Sequence, residues 1–262
     1  MTDRPLPEHA AENARYWDGM ADQWVASGER NWASTEPTWG SWGAPDHEVG
    51  LLPDDMTGMR AIELGCGTGY VSAWMARRGA EVVGIDVSAE QLATARRLRD
   101  EHGLDIDLRQ ESAEAVSEPD AGFDFAVSEY GAAIWCDPHV WIPEAARLLK
   151  PGGRLHFLGN HPLAMVCTPL DGSPVDATLH RDWRGMQRFD WRHVAVDPGG
   201  VEFNLGIAAW MRLFRDAGFV VEDHLELHAA DPSDDRFAVP GWWAHRFPAE
   251  QVWKLRRVPE SS

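Results

Sequence analysis

The chain has 262 residues, 44% of them hydrophobic and 25% charged, as in an ordinary soluble fold built on one core with insertions. Its 42 acidic residues against 24 Lys and Arg give a formal charge of −18, which disfavours nucleic acid, and Arg77-Arg78, Arg96-Arg97 and Arg256-Arg257 are too scattered to form a basic stripe. Three cysteines without a CxxC pair argue against disulfides and zinc, while the lack of a membrane-length apolar run or a secretion signal after Met1 leads to the expectation of a cytoplasmic protein that does not engage a membrane.

Residues 1–58 begin with a predicted helix, Ala10 to Val25, and continue into a Trp-, Pro- and Gly-rich stretch through Trp32, Trp39, Gly40, Trp42 and Pro53. From Met59 onward, short apolar runs alternate with amphipathic ones. The predicted order is strand Arg60–Leu64, helix Gly69–Arg78, strand Glu81–Ile85, helix Ala89–His102 and strand Asp105–Arg109. A strand at Phe123–Val127, a helix at Pro138–Leu149 and a strand at Arg154–Leu158 follow, the last after the turn Lys150-Pro151-Gly152-Gly153. An irregular insertion occupies 161–200. A helix near Gly206–Ala217 and strands at Phe219–Leu227 and Gln251–Val258 close the chain. This alternation predicts β-α-β units on a largely parallel α/β sheet, in a single domain over 1–262. Residues 1–58 and 161–200 would cover the carboxyl edge of the sheet, where ligands of open α/β folds lie.

Strand Arg60–Leu64 runs straight into Gly65-Cys66-Gly67-Thr68-Gly69, a turn whose small residues admit a ligand close to the backbone and whose following helix directs N–H groups at it. Asp86, 21 positions after Gly65, ends the neighbouring strand, where its carboxylate can accept both hydroxyls of an adenosine ribose. A nicotinamide dinucleotide is the competing ligand. Its fingerprint is G-x-G-x-x-G, whereas the turn here reads G-x-G-x-G and sets Tyr70 where the third glycine belongs. Glu63, two residues before Gly65, is also unfavourable beside phosphates and useful beside a cation or backbone amides.

Four segments, Glu63 to Gly69, Gly84 to Ser88, Phe123 to Ser128 and Leu148 to Leu155, resemble in order the successive motifs of class I S-adenosylmethionine-dependent methyltransferases, across most of residues 55–160. The resemblance implies a Rossmann-like methyltransferase fold: a seven-stranded mixed sheet in the order 3-2-1-4-5-7-6 with strand 7 antiparallel, helices on both faces, an N-terminal lid and an insertion after strand 5. It also implies that the backbone of Gly65, Cys66, Gly67, Thr68 and Gly69 faces the methionine portion of S-adenosyl-L-methionine, that Asp86 holds the ribose and that Val87 lines adenine. Glu63 would anchor the glycine turn or reach the amino-acid end through water. Ser112 and Ala113 stand where the family commonly has an Asp-Ala pair, so the adenine-edge contact here is uncharged. Tyr16, Trp17, Trp39 and Trp42 are the lid candidates, Trp39 foremost because Gly40 follows it, and Ser128 completes the cofactor set.

On the acceptor side, the loop Ser128-Glu129-Tyr130-Gly131-Ala132 follows the fourth strand. Glu129 is a candidate to orient an amine or take a proton, Tyr130 to give a hydrogen bond or an aromatic wall, and His161 after the fifth strand to act as a base. A plainer role is open to Glu129, as a structural cap, and to His161, as a turn or packing group before Pro162. Trp183, Arg184, Phe189, Trp191, His193 and Phe203 are candidates to cover an organic acceptor or to pack within the insertion. No histidine sits in a metal-ligand spacing, and direct methyl transfer needs no metal. The expected activity is methyl transfer to N, O or C of a small molecule by a monomer or homodimer. A non-catalytic cofactor sensor and a nicotinamide-dependent oxidoreductase are the alternatives.

Overall fold

The computed structural model describes residues 5–259; the expectation about the start of the chain falls at residues 1–4, outside them. In chain order the elements are α1 (Glu8–Ala33), the short strands β1 (Thr38–Trp39) and β2 (Ala44–Pro45), α2 (Asp46–Val49), β3 (Arg60–Leu64), α3 (Tyr70–Arg77), β4 (Glu81–Asp86), α4 (Ala89–His102), β5 (Ile106–Gln110) and β6 (Phe123–Glu129). The second half adds α5 (Gly131–Trp135), α6 (Pro138–Leu148), β7 (Leu149–Asn160), α7 (Pro162–Cys167), β8 (Arg188–Asp190), β9 (Val201–Phe203), α8 (Ile207–Asp216), β10 (Phe219–Leu227), α9 (Gly241–Ala244) and β11 (Glu250–Arg257).

Seven strands form one sheet in the spatial order β10-β11-β7-β6-β3-β4-β5. Numbered along this sheet alone, that is 3-2-1-4-5-7-6 read from the other edge, and β11 runs antiparallel to both β7 and β10, as expected. Side chains alternate across the sheet because successive Cβ atoms point to opposite faces. Ile62, Leu64, Val83, Ile85 and Phe157 join Trp141, Ile142, Trp210 and Phe214 in one core layer, beneath α6 and α8. Ala61, Val82, Phe125 and Val127 face Val71, Trp74, Met75, Leu92 and Leu98 of α3 and α4 on the other side.

Several local outcomes depart from the predicted elements. Helix α1 extends to Ala33 rather than Val25: Gly28 has no side chain to hold it off Thr68 and Trp32 bonds the Thr68 carbonyl, so tertiary contact carries the helix on. The turn Lys150–Gly153 is absorbed into β7 as an irregularity: pairing jumps from Phe123 with Leu149 to Phe125 with Arg154, and Gly152 adopts φ +83°. The loop after β6 coils at once into α5. The insertion carries a two-stranded antiparallel ribbon, β8 with β9.

Candidate cofactor and acceptor site

The glycine turn leaves the end of β3 with Gly65, Gly67 and Gly69 all in the left-handed region, at φ +78°, +51° and +78°. One of these positions is also sterically closed and another is tight. A Cβ on Gly65 would lie 2.6 Å from the Cα of Gly131, and one on Gly69 3.2 Å from the Cβ of Ala95. Gly67 is different: nothing lies within 4 Å of its Cβ position, so the middle of the turn borders open space. The N–H groups of Gly65 and Cys66 both bond the Ile85 carbonyl, which ties the turn to the adjacent strand end.

Asp86 stands beside that open position. One carboxylate oxygen accepts the Gly67 N–H at 2.8 Å and the other accepts the Ser88 N–H at 2.8 Å, so the side chain bridges the glycine turn and the start of α4. Each oxygen keeps a further lone-pair direction, the pair of acceptors a ribose diol requires. Burial pushes the Asp86 carboxyl up, and the bonds from Ser88 and Gly67 pull it back down. Val87 follows half-buried, its carbonyl taking the Gln110 side-chain amide. Glu63 is fully enclosed and accepts both the backbone N–H and the hydroxyl of Ser72, anchoring the first turn of α3; burial raises its carboxyl to about 8.

Helix α1 crosses this region. Asp18 accepts the Ser88 hydroxyl at 2.6 Å and the Glu90 N–H at 3.2 Å, while the Trp32 indole N–H donates to the Thr68 carbonyl at 2.8 Å. The helix is thereby pinned to the start of α4 and to the glycine turn. Between those pins Tyr16 packs against Trp17 and Trp135, with ring centroids 5.4 and 5.9 Å away, and burial with nearby Asp197 and Glu202 raises its phenol. Asn13 holds the N-terminal part of α1 by bonding the carbonyls of Trp135 and Val201 and accepting the Val201 N–H.

Several expected contacts lie deeper than the sequence suggested. Trp39 is a correction: it is wholly buried, edge-on to Trp74 and bonded to Asp46, so it belongs to the core rather than to a lid surface. Trp42 turns away to the Asp234 carbonyl. Ser128 is also sealed, donating to the Leu64 carbonyl and accepting the Ala133 N–H, which fastens the end of β3 to α5. Ser112 accepts the Glu114 N–H within its own turn, and the neighbouring Ala113 sits in the core.

Glu129 and Tyr130 meet an element absent from the predicted order, the β1–β2 hairpin. Glu129 accepts the Gly40 N–H at 3.0 Å and the Tyr70 hydroxyl, and burial raises its carboxyl. Tyr130 adopts φ +57°, a strained value for a non-glycine residue, and its hydroxyl meets that of Ser41 at 2.8 Å. The hairpin has a third holder in Glu250, which accepts the Ser41 N–H at 2.7 Å and is raised by burial to about 7. His161 caps α7, accepting the Leu163 N–H on Nδ1 at 3.1 Å; burial lowers it to about 4, and Nε2 lies 3.3 Å from Glu226 without aligning a hydrogen bond. It thus caps α7 and is neutral near pH 7.

Asp18, Tyr70 and Glu250 were not found as site residues from sequence. Their partners lie 70, 59 and 209 positions away, and no local pattern marks them. Among the described residues, none of Glu63, Asp86, Glu129 and Glu250 has a Lys or Arg within 4.0 Å. Asp86, which bonds the turn itself, thus has no cationic partner of its own, an arrangement that disfavours a pyrophosphate and suits a cationic ligand. No cluster of three or more metal-ligating side chains occurs among the described residues.

Residues 62–157 match the family described as "Methyltransferase domain". The ubiquinone biosynthesis O-methyltransferase of Maricaulis maris (strain MCS10) is 41% identical over 154 residues, covering 55% of this chain and 56% of that protein. Its counterpart in Stutzerimonas stutzeri (strain A1501) is 33% identical over 175 residues, covering 66% and 69% respectively. The chain therefore spans less than two thirds of the first relative and slightly more of the second. Among solved structures, an S-adenosylmethionine-dependent methyltransferase from Mesorhizobium loti superposes with a TM-score of 0.67 at 24% identity, over 83% of this chain and 100% of that one. The [4+2]-cyclase SpnF superposes at 0.66 with 21% identity, over 97% and 98%. Both likenesses concern the fold alone.

Proposed function

Because the chain belongs to the class I S-adenosylmethionine-dependent methyltransferases, we infer that it transfers a methyl group from S-adenosyl-L-methionine to N, O or C of a small organic acceptor. The observation that carries this reading is the Asp86 bridge from Gly67 to Ser88, made by a side chain that has no Lys or Arg within 4.0 Å among the described residues. The residues present fit the cofactor: an open left-handed glycine and, beside it, a side chain with acceptor directions to spare and no cationic partner.

When bound, S-adenosyl-L-methionine supplies an already activated methyl group, so the protein's work is orientation and exclusion of water. In the assignment we favour, Asp86 holds the ribose hydroxyls, Val87 lines the base, the Gly65–Gly69 backbone admits the methionine end and Tyr16 contributes from α1. Glu63, Ser128 and Asp18 hold those groups in place. Glu129 and Tyr130 act on the acceptor side through the hairpin they fasten, and Glu129, whose carboxyl burial raises, is the candidate to move a proton. Residues 1–58 and 161–200 form the cover of one domain.

The curated relatives named above are ubiquinone biosynthesis O-methyltransferases, which makes phenolic hydroxyls the first acceptors to try. Incubating the purified protein with the cofactor and a panel of phenols and amines, read by a mass gain of one methylene, tests the activity. Binding of NADH with no binding of S-adenosyl-L-methionine would overturn it. The described residues contain no helix long and apolar enough to cross a membrane; a cytoplasmic monomer or homodimer is the arrangement we propose.

A further inference from the structure

Two clefts on the outside of the insertion differ in charge. The first, about 380 Å³, is bordered by Asp182 and Asp190 together with Arg181, Arg188 and Arg184, the last shared with the second. The second, about 430 Å³, is bordered by Arg184, Arg212, His139 and Trp183 over a floor that includes Met186 and Leu205, and it contains no Asp or Glu. That volume lies within the range of small-molecule sites. In a chain of formal charge −18, an acid-free cleft with two arginines is unexpected.

The state of those arginines sharpens the point. Arg60, Arg78, Arg97, Arg109, Arg147 and Arg192 each sit within 4.0 Å of a carboxylate. Arg184 and Arg212 have no ion-pair or hydrogen-bond partner among the described residues, although they come from different elements, the insertion and α8. Trp183 is 47% exposed, and its indole Nε1 lies 2.9 Å from where a Cβ on Gly206 would be, so only glycine lets the ring lie so close to the backbone there. Planar guanidinium groups beside an exposed indole suit a flat ring bearing an anionic group: the anion takes forked N–H bonds and the ring takes the aromatic face.

We propose that this cleft binds a small aromatic anion, carboxylate or phosphate ester, at a site separate from the cofactor cleft. No hydrogen bond or ring contact joins Trp183 or Arg184 to Tyr16, Glu129 or the glycine turn among the described residues. The site therefore stands whether or not the methyl-transfer reading does.

The test titrates the full chain with indole-3-carboxylate, phenyl phosphate and the uncharged indole-3-carboxamide in low salt, by saturation-transfer NMR and calorimetry. At least one anion should bind about tenfold or more tighter than the amide, and the tighter anion names the headgroup. In the Arg184→Ala/Arg212→Ala protein that preference should fall below about twofold, with the circular dichroism and the S-adenosyl-L-methionine affinity of the parent retained. Both arginines being unpaired, their loss breaks no hydrogen bond or ion pair among the described residues. Equal affinity for anions and amide, no binding of any probe, or a preference that survives the double substitution overturns the proposal. Loss of cofactor affinity in the double variant also overturns it, since the cleft would then not be separate.

Discussion

Gly65 and Gly131 meet backbone against backbone: a Cβ on Gly131 would lie 2.2 Å from the Gly65 carbonyl oxygen, and one on Gly65 would lie 2.6 Å from the Gly131 Cα. The contact sets the first turn of α5 directly on the glycine turn. Neither side offers a flexible side chain that could yield, so Gly131→Ala forces the two backbones apart. A loss of at least about 2 kcal/mol in urea unfolding is expected, in the range for overpacked interiors. A midpoint equal to that of the parent would show that the close approach is not obligatory.

Asp86→Ala removes both the bridge to Gly67 and Ser88 and the proposed ribose acceptors. Calorimetry should show S-adenosyl-L-methionine binding weakened by about 2 to 4 kcal/mol, the scale of charge-assisted hydrogen bonds. Unchanged affinity in a folded protein would remove Asp86 from the cofactor site.

Glu250 gives a pH prediction. Burial, opposed by the bonds from Ser41, raises its folded-state pKa to about 7 from 4.5. The folded protein then holds more protons than the unfolded one between those values, so this group's contribution is present below about pH 4.5 and is lost as pH rises through about 7. The loss amounts to at most about 3 kcal/mol. Glu250→Gln keeps an acceptor for the Ser41 N–H and should flatten that part of the stability profile. An identical pH dependence in both proteins would refute the assignment.

Glu129 can be separated from a purely structural hairpin holder by paired substitutions. Glu129→Gln retains an acceptor for the Gly40 N–H, so hydrogen exchange at residues 38–45 should stay near that of the parent, whereas Glu129→Ala should speed it about tenfold or more, as expected on loss of a bond to a charged group. If Glu129 also moves a proton, Glu129→Gln depresses single-turnover methylation at unchanged cofactor affinity. A rate equal to the parent's leaves it holding the hairpin only.

His161 predicts the opposite sign from Glu250. Its pKa is lowered to about 4 from 6.5, chiefly by burial, so its stabilising contribution is present above about 6.5 and disappears as pH falls through about 4. His161→Asn, which preserves a cap for Leu163, should reduce acid sensitivity in that window without altering methyl transfer near pH 7. A large fall in the single-turnover rate there would instead make His161 the base.

The alternation of short apolar runs with amphipathic ones, the spacing of Gly65, Gly67 and Gly69 and the position of Asp86 at a strand end are local signals, each set by a few consecutive residues. They sufficed for the sheet order, through its likeness to a known family, and for the glycine turn with an acid at the neighbouring strand end, while the bridge from that acid to Gly67 and Ser88 emerged only in the structure. Tertiary structure alone decided the rest, because those groups act across long stretches of chain: Asp18 on Ser88, Glu250 on Ser41, and Arg184 beside Arg212 without a carboxylate between them. Trp39 shows the limit from the other side, since its sequence neighbourhood is that of a surface turn while Trp74 and Asp46 close around it. Burial is a property of what packs against a residue, and that is written in no short segment.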